Sequence, residues 1–125
     1  MYLTCNHIAF RVSSLKKTKE FYVKKLELEI LENTSTLLAL KAGEVRLSFF
    51  EGYKKAVISS KNETGYNIIL RTKNISSARN SLVKKKIKLV QDITEAPGFL
   101  KFITIKDPDN NIIHIGEYLS DPLAK

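Results

Sequence analysis

The sequence predicts an α+β protein built from two βαβββ modules, and three observations support this prediction. A length of 125 residues suits a single domain and is too short for two ordinary ones. Residues 7–30 and 67–90 share one pattern of apolar and polar positions at a constant offset of 60. Alternating apolar runs, typical of strands, follow each copy. Because a module this small cannot bury its own sheet face, the two modules are expected to pack against each other.

A later stretch of each copy extends the repeat. Residues 45–51, VRLSFFE, align with residues 111–117, NIIHIGE, at an offset of 66. This alignment makes Ser48 the counterpart of His114. His114 is a polar residue among the apolar residues of a predicted strand, and the strand pattern itself does not require it. Its presence therefore needs another explanation.

Each module is predicted to run strand, helix, strand, strand, strand. Ser13 or Ser14 is placed to cap a first helix that ends near Leu26, and Asn74 is placed to cap the second. The segment 107–110, DPDN, has strong turn chemistry, since proline fixes one corner and Asp and Asn tolerate tight ones. The predicted strands cover residues 6–12, 28–32, 36–42 and 44–51, then about 87–93, 99–106 and 111–118.

The chain is therefore expected to be one domain over residues 1–125, with modules over 1–51 and 65–119. Residues 52–64, GYKKAVISSKNET, show no clear period and are predicted to be the linker. Within the linker, AVIS is a candidate short strand.

The net charge is +8, from 21 basic and 13 acidic residues. Such a charge raises the question of an anionic partner. Most of the lysines fall in KKTKEFYVKK and SLVKKKIK, where helical spacing places them opposite the apolar positions. This pattern favours a solvated helix face. Binding to nucleic acid is not expected, because stacking aromatics and a recognition helix are missing from the pattern.

The composition is that of a globular protein, with 43% hydrophobic and 27% charged residues. No run of about 18 apolar residues is present, and the start MYLTCNHIAF lacks the layout of a signal peptide. The single cysteine, Cys5, cannot form an internal disulfide, which agrees with a reducing compartment. A cytoplasmic protein without membrane association is expected.

Three segments point to a known family. HIAFRV opens the first copy, an FY pair lies on the following helix, and DPDNN precedes the last alternating strand. With the repeat, they make nearly the whole chain resemble the vicinal oxygen chelate superfamily, which includes glyoxalases, methylmalonyl-CoA epimerases, extradiol dioxygenases, fosfomycin-resistance transferases and bleomycin-resistance proteins. The resemblance implies curved mixed sheets around a cleft with helices on the outside. It says less about activity, because one fold hosts many chemistries.

In metal-dependent branches of that superfamily, four ligands converge in the cleft, usually His, Glu, His and Glu. The matching positions in this chain are His7, Ser48, Asn67 and His114, so only His7 is kept. Two imidazoles hold zinc or nickel loosely, and without a carboxylate the site lacks neutralising charge and a base. The resemblance therefore implies a degenerate site without a tightly bound metal, in which His7 and His114 are the candidate ligands.

Glu51 and Glu117 are not expected to restore the missing carboxylates, unless a β-bulge turns one of them to the other face. Residues three apart on a strand face opposite sides of the sheet. Glu51 is therefore expected to point away from the face of Ser48, and Glu117 away from that of His114.

Strand alternation gives the expected wall of the cleft. Three arginines fall on it, and several guanidinium groups suit a carboxylate, phosphate or sulfonate ligand. The alternatives are that the arginines are exposed strand ends or pair with structural glutamates, and that Phe50 is ordinary core. The candidate ligand-binding residues are His7, Arg11, Arg46, Ser48, Phe50, Asn67, Arg71 and His114. Ile8, Phe10 and Val12 with Ile68 and Leu70 are expected on the opposite face as core. Cys5 is expected to be buried and inert, the alternative being a thiolate activated by His7.

Three functions follow in order of preference. The first is a metal-independent protein of the glyoxalase/bleomycin-resistance type, a homodimer that binds a small, anionic molecule. The second is a metal-dependent lyase or isomerase of the lactoylglutathione lyase type, using His7, His114 and an unrecognised carboxylate. The third is a surface for nucleic acid or an acidic protein. Whether the chain is an enzyme is left open.

Overall fold

The computed structural model describes residues 1–52 and 67–124, and the chain divides into two compact units, Met1–Lys61 and Asn62–Lys125. The described parts of these units are called module one and module two. Apart from Gly52, the predicted linker and its candidate AVIS strand lie outside the described residues. Across the described ranges, no helix is both long enough and apolar enough to cross a membrane.

Module one contains one mixed four-stranded sheet and one helix, in the order β1-β4-β3-β2 across the sheet. β1 pairs with β4 in parallel, and the other pairs are antiparallel. The elements are β1 His7–Val12, α1 Leu15–Lys19 with a π-helical continuation Glu20–Lys25, β2 Glu29–Asn33, β3 Leu37–Ala42 and β4 Val45–Glu51.

Module two repeats this topology, with sheet order β5-β8-β7-β6 and a parallel pairing between β5 and β8. The predicted α+β class with two βαβββ modules is thus confirmed. The elements are β5 Ile68–Arg71, α2 Ile75–Lys84, β6 Gln91–Ala96, β7 Leu100–Lys106 and β8 Ile112–Tyr118.

The strand registers reproduce the repeat residue by residue. In module one Ala9 pairs with Ser48, and in module two Ile69 pairs with His114. These are the positions that the offsets of 60 and 66 in the sequence match. Ser48 and His114 therefore occupy equivalent places in their sheets.

Both predicted helix caps form. The Ser14 hydroxyl accepts the N–H of Lys17 at 3.2 Å, and the Asn74 side chain accepts that of Ser77 at 3.0 Å. Each cap satisfies one of the free N–H groups of a first helical turn.

The predicted strand over 87–93 is misplaced, since β6 runs from Gln91 to Ala96. The apolar Ile87 belongs instead to the end of α2. Lys86 takes a positive φ of 60°, and the N–H of Ile87 returns to the carbonyl of Leu82 at 3.0 Å. This helix-ending geometry buries Ile87 and delays the strand.

The core of module one lies between α1, its π-helical continuation and one face of the sheet. The rings of Tyr22 and Phe49 lie 4.8 Å apart, and Phe10 stacks on Phe49 at 5.2 Å. Val12 is fully buried as predicted, but Ile8 remains 36% exposed. Ile8 lies on β1, an edge strand of the sheet, which explains its incomplete burial.

The core of module two forms in the same way between α2 and its sheet. Contact runs from α2 to both β7 and β8. The buried apolar side chains of the module include Ile75, Leu82, Ile87, Leu100, Ile103, Ile105, Ile113 and Ile115.

Candidate functional site

The candidate site of module one is the sheet face opposite α1, called here the distal face of module one. The ring of Phe49 contacts that of Tyr22 in the π-helical continuation of α1, so Phe49 lies on the helix side of the sheet. Its neighbours on the strand, Ser48 and Phe50, therefore project to the other side. Cross-strand pairing arranges this face in three rows. They are His7, Arg46, Lys41 and Glu29; Ala9, Ser48, Ala39 and Glu32; and Arg11, Phe50 and Leu37.

A chain of polar contacts crosses this face. The Nε2 atom of His7 lies 2.8 Å from the Ser48 hydroxyl, and the Nε of Arg46 donates to the same hydroxyl at 3.2 Å. Nη2 of Arg46 lies 3.9 Å from a carboxylate oxygen of Glu32. Ser48 is only 1% exposed, so the contacts at its hydroxyl are shielded from water. The structure thus brings three of the predicted site residues into one hydrogen-bonded group.

Two further predicted residues, Arg11 and Phe50, share a cavity of about 480 Å³. Phe50 is 39% exposed, so it is not the core residue of the alternative interpretation. Arg11 is exposed as well. An apolar ring beside a guanidinium group offers both an apolar wall and a cationic contact. The cavity is lined by Ala9, Phe10, Arg11, Thr36, Phe50 and Glu51.

The corresponding face of module two, opposite α2, carries His114 and is called the distal face of module two. Nδ1 of His114 lies 2.9 Å from the hydroxyl of Thr104, its cross-strand partner. The imidazole also meets the Phe102 ring edge to face at 5.2 Å. Burial lowers the pKa of His114 from its ordinary 6.5, because desolvation penalises the charged ring.

This pKa direction gives a prediction for stability against pH. At pH values where His114 is charged only in the unfolded state, the unfolded chain binds more protons than the folded one. The stabilising contribution is therefore complete above about pH 6.5 and is lost as pH falls through the lower folded value. Unfolding temperatures measured from about pH 7.5 to about pH 5 should fall more steeply for the wild type than for His114→Gln. An equal change of unfolding temperature with pH in the two proteins would contradict this contribution of His114.

Asn67 and Arg71 are the remaining predicted residues of module two. Asn67 is exposed immediately before β5. The Arg71 guanidinium lies 5.6 Å from the centre of the Tyr118 ring, a cation–π contact. A second cavity, of about 460 Å³, is lined by Arg71, Tyr118, Leu119, Ser120 and Asp121.

The two glutamates point away from the distal faces, as strand alternation predicted. Glu51 accepts the N–H of Leu15 at 3.0 Å, and Glu117 accepts that of Ile75 at 2.9 Å. Leu15 and Ile75 are the first residues of α1 and α2, so the carboxylates complement the positive ends of the helix dipoles. Both glutamates therefore stabilise helices, and Glu51 also lines the cavity beside Arg11 and Phe50.

Removing the Glu117 cap should destabilise module two. Glu117→Ala is expected to lower the free energy of unfolding by about 1–2 kcal/mol, because a helix N–H loses a charged acceptor. Glu117→Gln keeps an acceptor oxygen and should lose less. Urea unfolding measures both, with the exposed Glu95→Ala as the control. An effect of Glu117→Ala no larger than that of Glu95→Ala would contradict the capping role.

Cys5 departs from the sequence expectation, since it is exposed and not buried. Residues 1–6 precede β1 and have no regular structure, so nothing in their own segment covers the thiol. Its Sγ contacts the backbone carbonyl of His7 at 4.0 Å.

The donors at the four family metal positions do not fit a divalent ion. Among the residues that the structure describes, no three His, Cys, Asp or Glu side chains group so that they could hold a metal. In module one, Ser48 replaces a carboxylate, and its hydroxyl is engaged by the Arg46 cation and by His7. A guanidinium beside the ligand position opposes a second cation. In module two, Asn67 is a weak neutral ligand.

The sequence also matches a known family. Residues 4–115 match the sequence model of the Glyoxalase/Bleomycin resistance protein/Dioxygenase superfamily. The chain belongs to this superfamily. No curated protein sequence matches the chain significantly.

Solved structures show the same fold at low identity. A glyoxalase family protein from Enterococcus faecalis is 24% identical, with a TM-score of 0.74 over 91% of this chain and 97% of that one. Lactoylglutathione lyase from Agrobacterium tumefaciens is 16% identical, with a TM-score of 0.72 over 91% and 92%. An antibiotic binding protein from a Streptomyces species is 18% identical, with a TM-score of 0.74 over 94% and 97%. Because such different proteins share this fold, the site itself must indicate the function.

Proposed function

We propose that this superfamily member binds a small, anionic molecule on the distal faces of its modules and needs no resident metal. The proposed ligand-binding residues are those predicted from the sequence. They are His7, Arg11, Arg46, Ser48, Phe50, Asn67, Arg71 and His114. The proposal also includes that the protein is a homodimer and acts in the cytoplasm.

One observation carries the proposal. Arg46, Ser48 and His7 are joined by hydrogen bonds, and two of them, His7 and Ser48, stand at positions where metal-dependent relatives have metal ligands. A neutral hydroxyl, bound by the Arg46 cation, stands where metal-dependent relatives place an anionic carboxylate. A negative charge is thus absent from this position and a positive charge lies beside it, which favours an anion. Arg46 still has other N–H groups that can pair with an oxyanion, since a guanidinium carries five.

The Arg11 and Phe50 cavity supports an anion with an attached ring or apolar group. Arg11 supplies a second guanidinium, and the exposed face of Phe50 supplies an apolar surface on the same side of the sheet. Pockets that combine apolar walls with a few polar groups are typical of small-molecule sites. The Streptomyces neighbour is an antibiotic binding protein, which is compatible with a small-molecule ligand here.

Binding of matched charged and neutral probes tests this function. Benzoate, phenyl phosphate and benzenesulfonate are compared with benzamide and benzyl alcohol by calorimetric titration of the purified protein. At least one anion should bind, and its neutral analogue should bind at least about tenfold more weakly, the effect of one lost charge-assisted hydrogen bond. Equal affinity for charged and neutral probes would contradict the proposal.

The lactoylglutathione lyase activity is the second candidate, and the fold shared with the Agrobacterium enzyme is the observation that favours it. It predicts turnover of the methylglyoxal–glutathione adduct when nickel, zinc or cobalt is added. Turnover that disappears on chelation would replace the binding function with this one.

A further inference from the structure

We propose that Arg46 and Ser48 lock His7 in the tautomer that carries its proton on Nδ1. The lock makes the outer ring nitrogen of His7 a hydrogen-bond donor beside the Arg46 guanidinium, where the two can bind an oxyanion together. This inference deepens the proposed function and rests on it for the identity of the ligand. The tautomer itself is a property of the free protein.

The direction of the hydrogen bonds follows from the chemistry of the groups. A guanidinium has only donors, so Nε of Arg46 donates to the Ser48 hydroxyl oxygen at 3.2 Å. The hydroxyl has one proton to give. Within the described residues, its other hydrogen-bond partner is Nε2 of His7 at 2.8 Å.

The burial of Ser48 decides which atom holds the proton in that second contact. Were Nε2 of His7 the donor, the hydroxyl would accept twice and its own proton would be left without an acceptor. Ser48 is 1% exposed, so water does not readily replace the acceptor. An unsatisfied buried donor costs about 1–3 kcal/mol, more than the small preference between imidazole tautomers in water. The Ser48 proton therefore goes to Nε2, and the His7 proton resides on Nδ1.

The carboxylate of Glu32 lies beside the start of this series of contacts. It is 3.9 Å from Nη2 of Arg46, on the row of the sheet that also contains Ser48. Both side chains are partly exposed, so this ion pair adds little and leaves N–H groups of the guanidinium for a ligand. Ser48 is thus a positioning residue that acts through His7, while Arg46 both orients Ser48 and offers donors to the ligand.

The result is a pair of donor side chains, His7 and Arg46, beside Ser48, with the Glu32 carboxylate at their flank. His7 is exposed, and its Nδ1–H joins the free N–H groups of Arg46 as a donor. Arg11, further along the face, adds a second guanidinium. A carboxylate, phosphate or sulfonate can accept from several of these donors, whereas a cation or an amide N–H meets only like groups on His7, Arg46 and Arg11.

Nitrogen-15 NMR of the ligand-free protein tests the tautomer directly. At about pH 8, where an ordinary histidine is neutral, the long-range spectrum should show His7 protonated on Nδ1. In Ser48→Ala and Arg46→Gln, the Nε2–H form should appear. Thr104→Val in module two, which removes the hydroxyl beside His114, is the control and should leave the His7 signal unchanged.

Each outcome supports or overturns the lock. A wild-type His7 protonated on Nε2, or a mixture of tautomers, overturns it, as does an Nδ1–H signal unchanged in both folded variants. If either variant fails to fold, the wild-type spectrum still decides the tautomer. The spectrum needs no ligand, so a protein that binds none of the probe anions disproves the proposed function while leaving the lock standing. Titrating Ser48→Ala with benzoate and benzamide then tests selectivity, which should fall by about tenfold.

Discussion

Replacing Arg46 with glutamine should weaken the binding of an anionic probe by about ten- to hundredfold, or about 1.4–2.8 kcal/mol. The substitution removes the positive charge beside Ser48 and breaks the hydrogen bond that orients its hydroxyl. It also removes the N–H groups proposed to bind the oxyanion. Two roles are lost together, so the effect should exceed that of one surface arginine.

Calorimetric titration with benzoate measures this change, and Lys84→Gln is the matched control. Lys84 is exposed at the end of α2, so its substitution alters net charge equally without touching a distal face. Arg46→Gln should remain folded, because Arg46 is an intermediate surface residue at the sheet. Equal benzoate affinity in wild type, Arg46→Gln and Lys84→Gln would refute the role of Arg46.

Replacing His114 with alanine should change ligand binding more than stability. The imidazole bonds to Thr104 and packs on Phe102, yet it remains partly exposed on the distal face of module two. Affinity is expected to fall by about tenfold, while the free energy of unfolding changes by about 1 kcal/mol, the value of one hydrogen bond.

Thr104→Val separates the two contributions. It removes the partner hydroxyl but keeps the imidazole, so it should affect stability like His114→Ala while retaining more of the binding. Urea unfolding and titration with the same probe measure both quantities. A large loss of stability with unchanged binding in His114→Ala would make His114 a core residue.

Features set by neighbouring residues were predictable from the sequence. Ser14 and Asn74 cap their helices because capping depends on a side chain and a backbone N–H three residues away. Glu51 and Glu117 point to the helices because strand alternation fixes the side on which a residue lies. The repeat itself was visible because equivalent strands preserve their registers.

Features that depend on residues far apart in the sequence could not be predicted. Thr104 and Glu32 were missed because they meet His114 and Arg46 only through strand registers that no local pattern specifies. Ile87 was assigned to a strand because its apolar character does not reveal the helix-ending turn before it. The exposure of Cys5 depends on the path of residues 1–6, which no periodic pattern describes.

The three-residue chain of Arg46, Ser48 and His7 lies between these cases. Alternation placed all three on one face, but the parallel register of β1 against β4 decides that they meet. The sequence therefore predicted that these three residues share a face, but it could not give the hydrogen bonds between them.

The most direct measurement is a calorimetric titration of the protein with the probe anions before and after exhaustive chelation. Metal-independent anion binding predicts the same affinity in both samples, and no gain when zinc, nickel or cobalt is restored. Binding, or turnover of the methylglyoxal–glutathione adduct, that vanishes on chelation and returns with metal would contradict it.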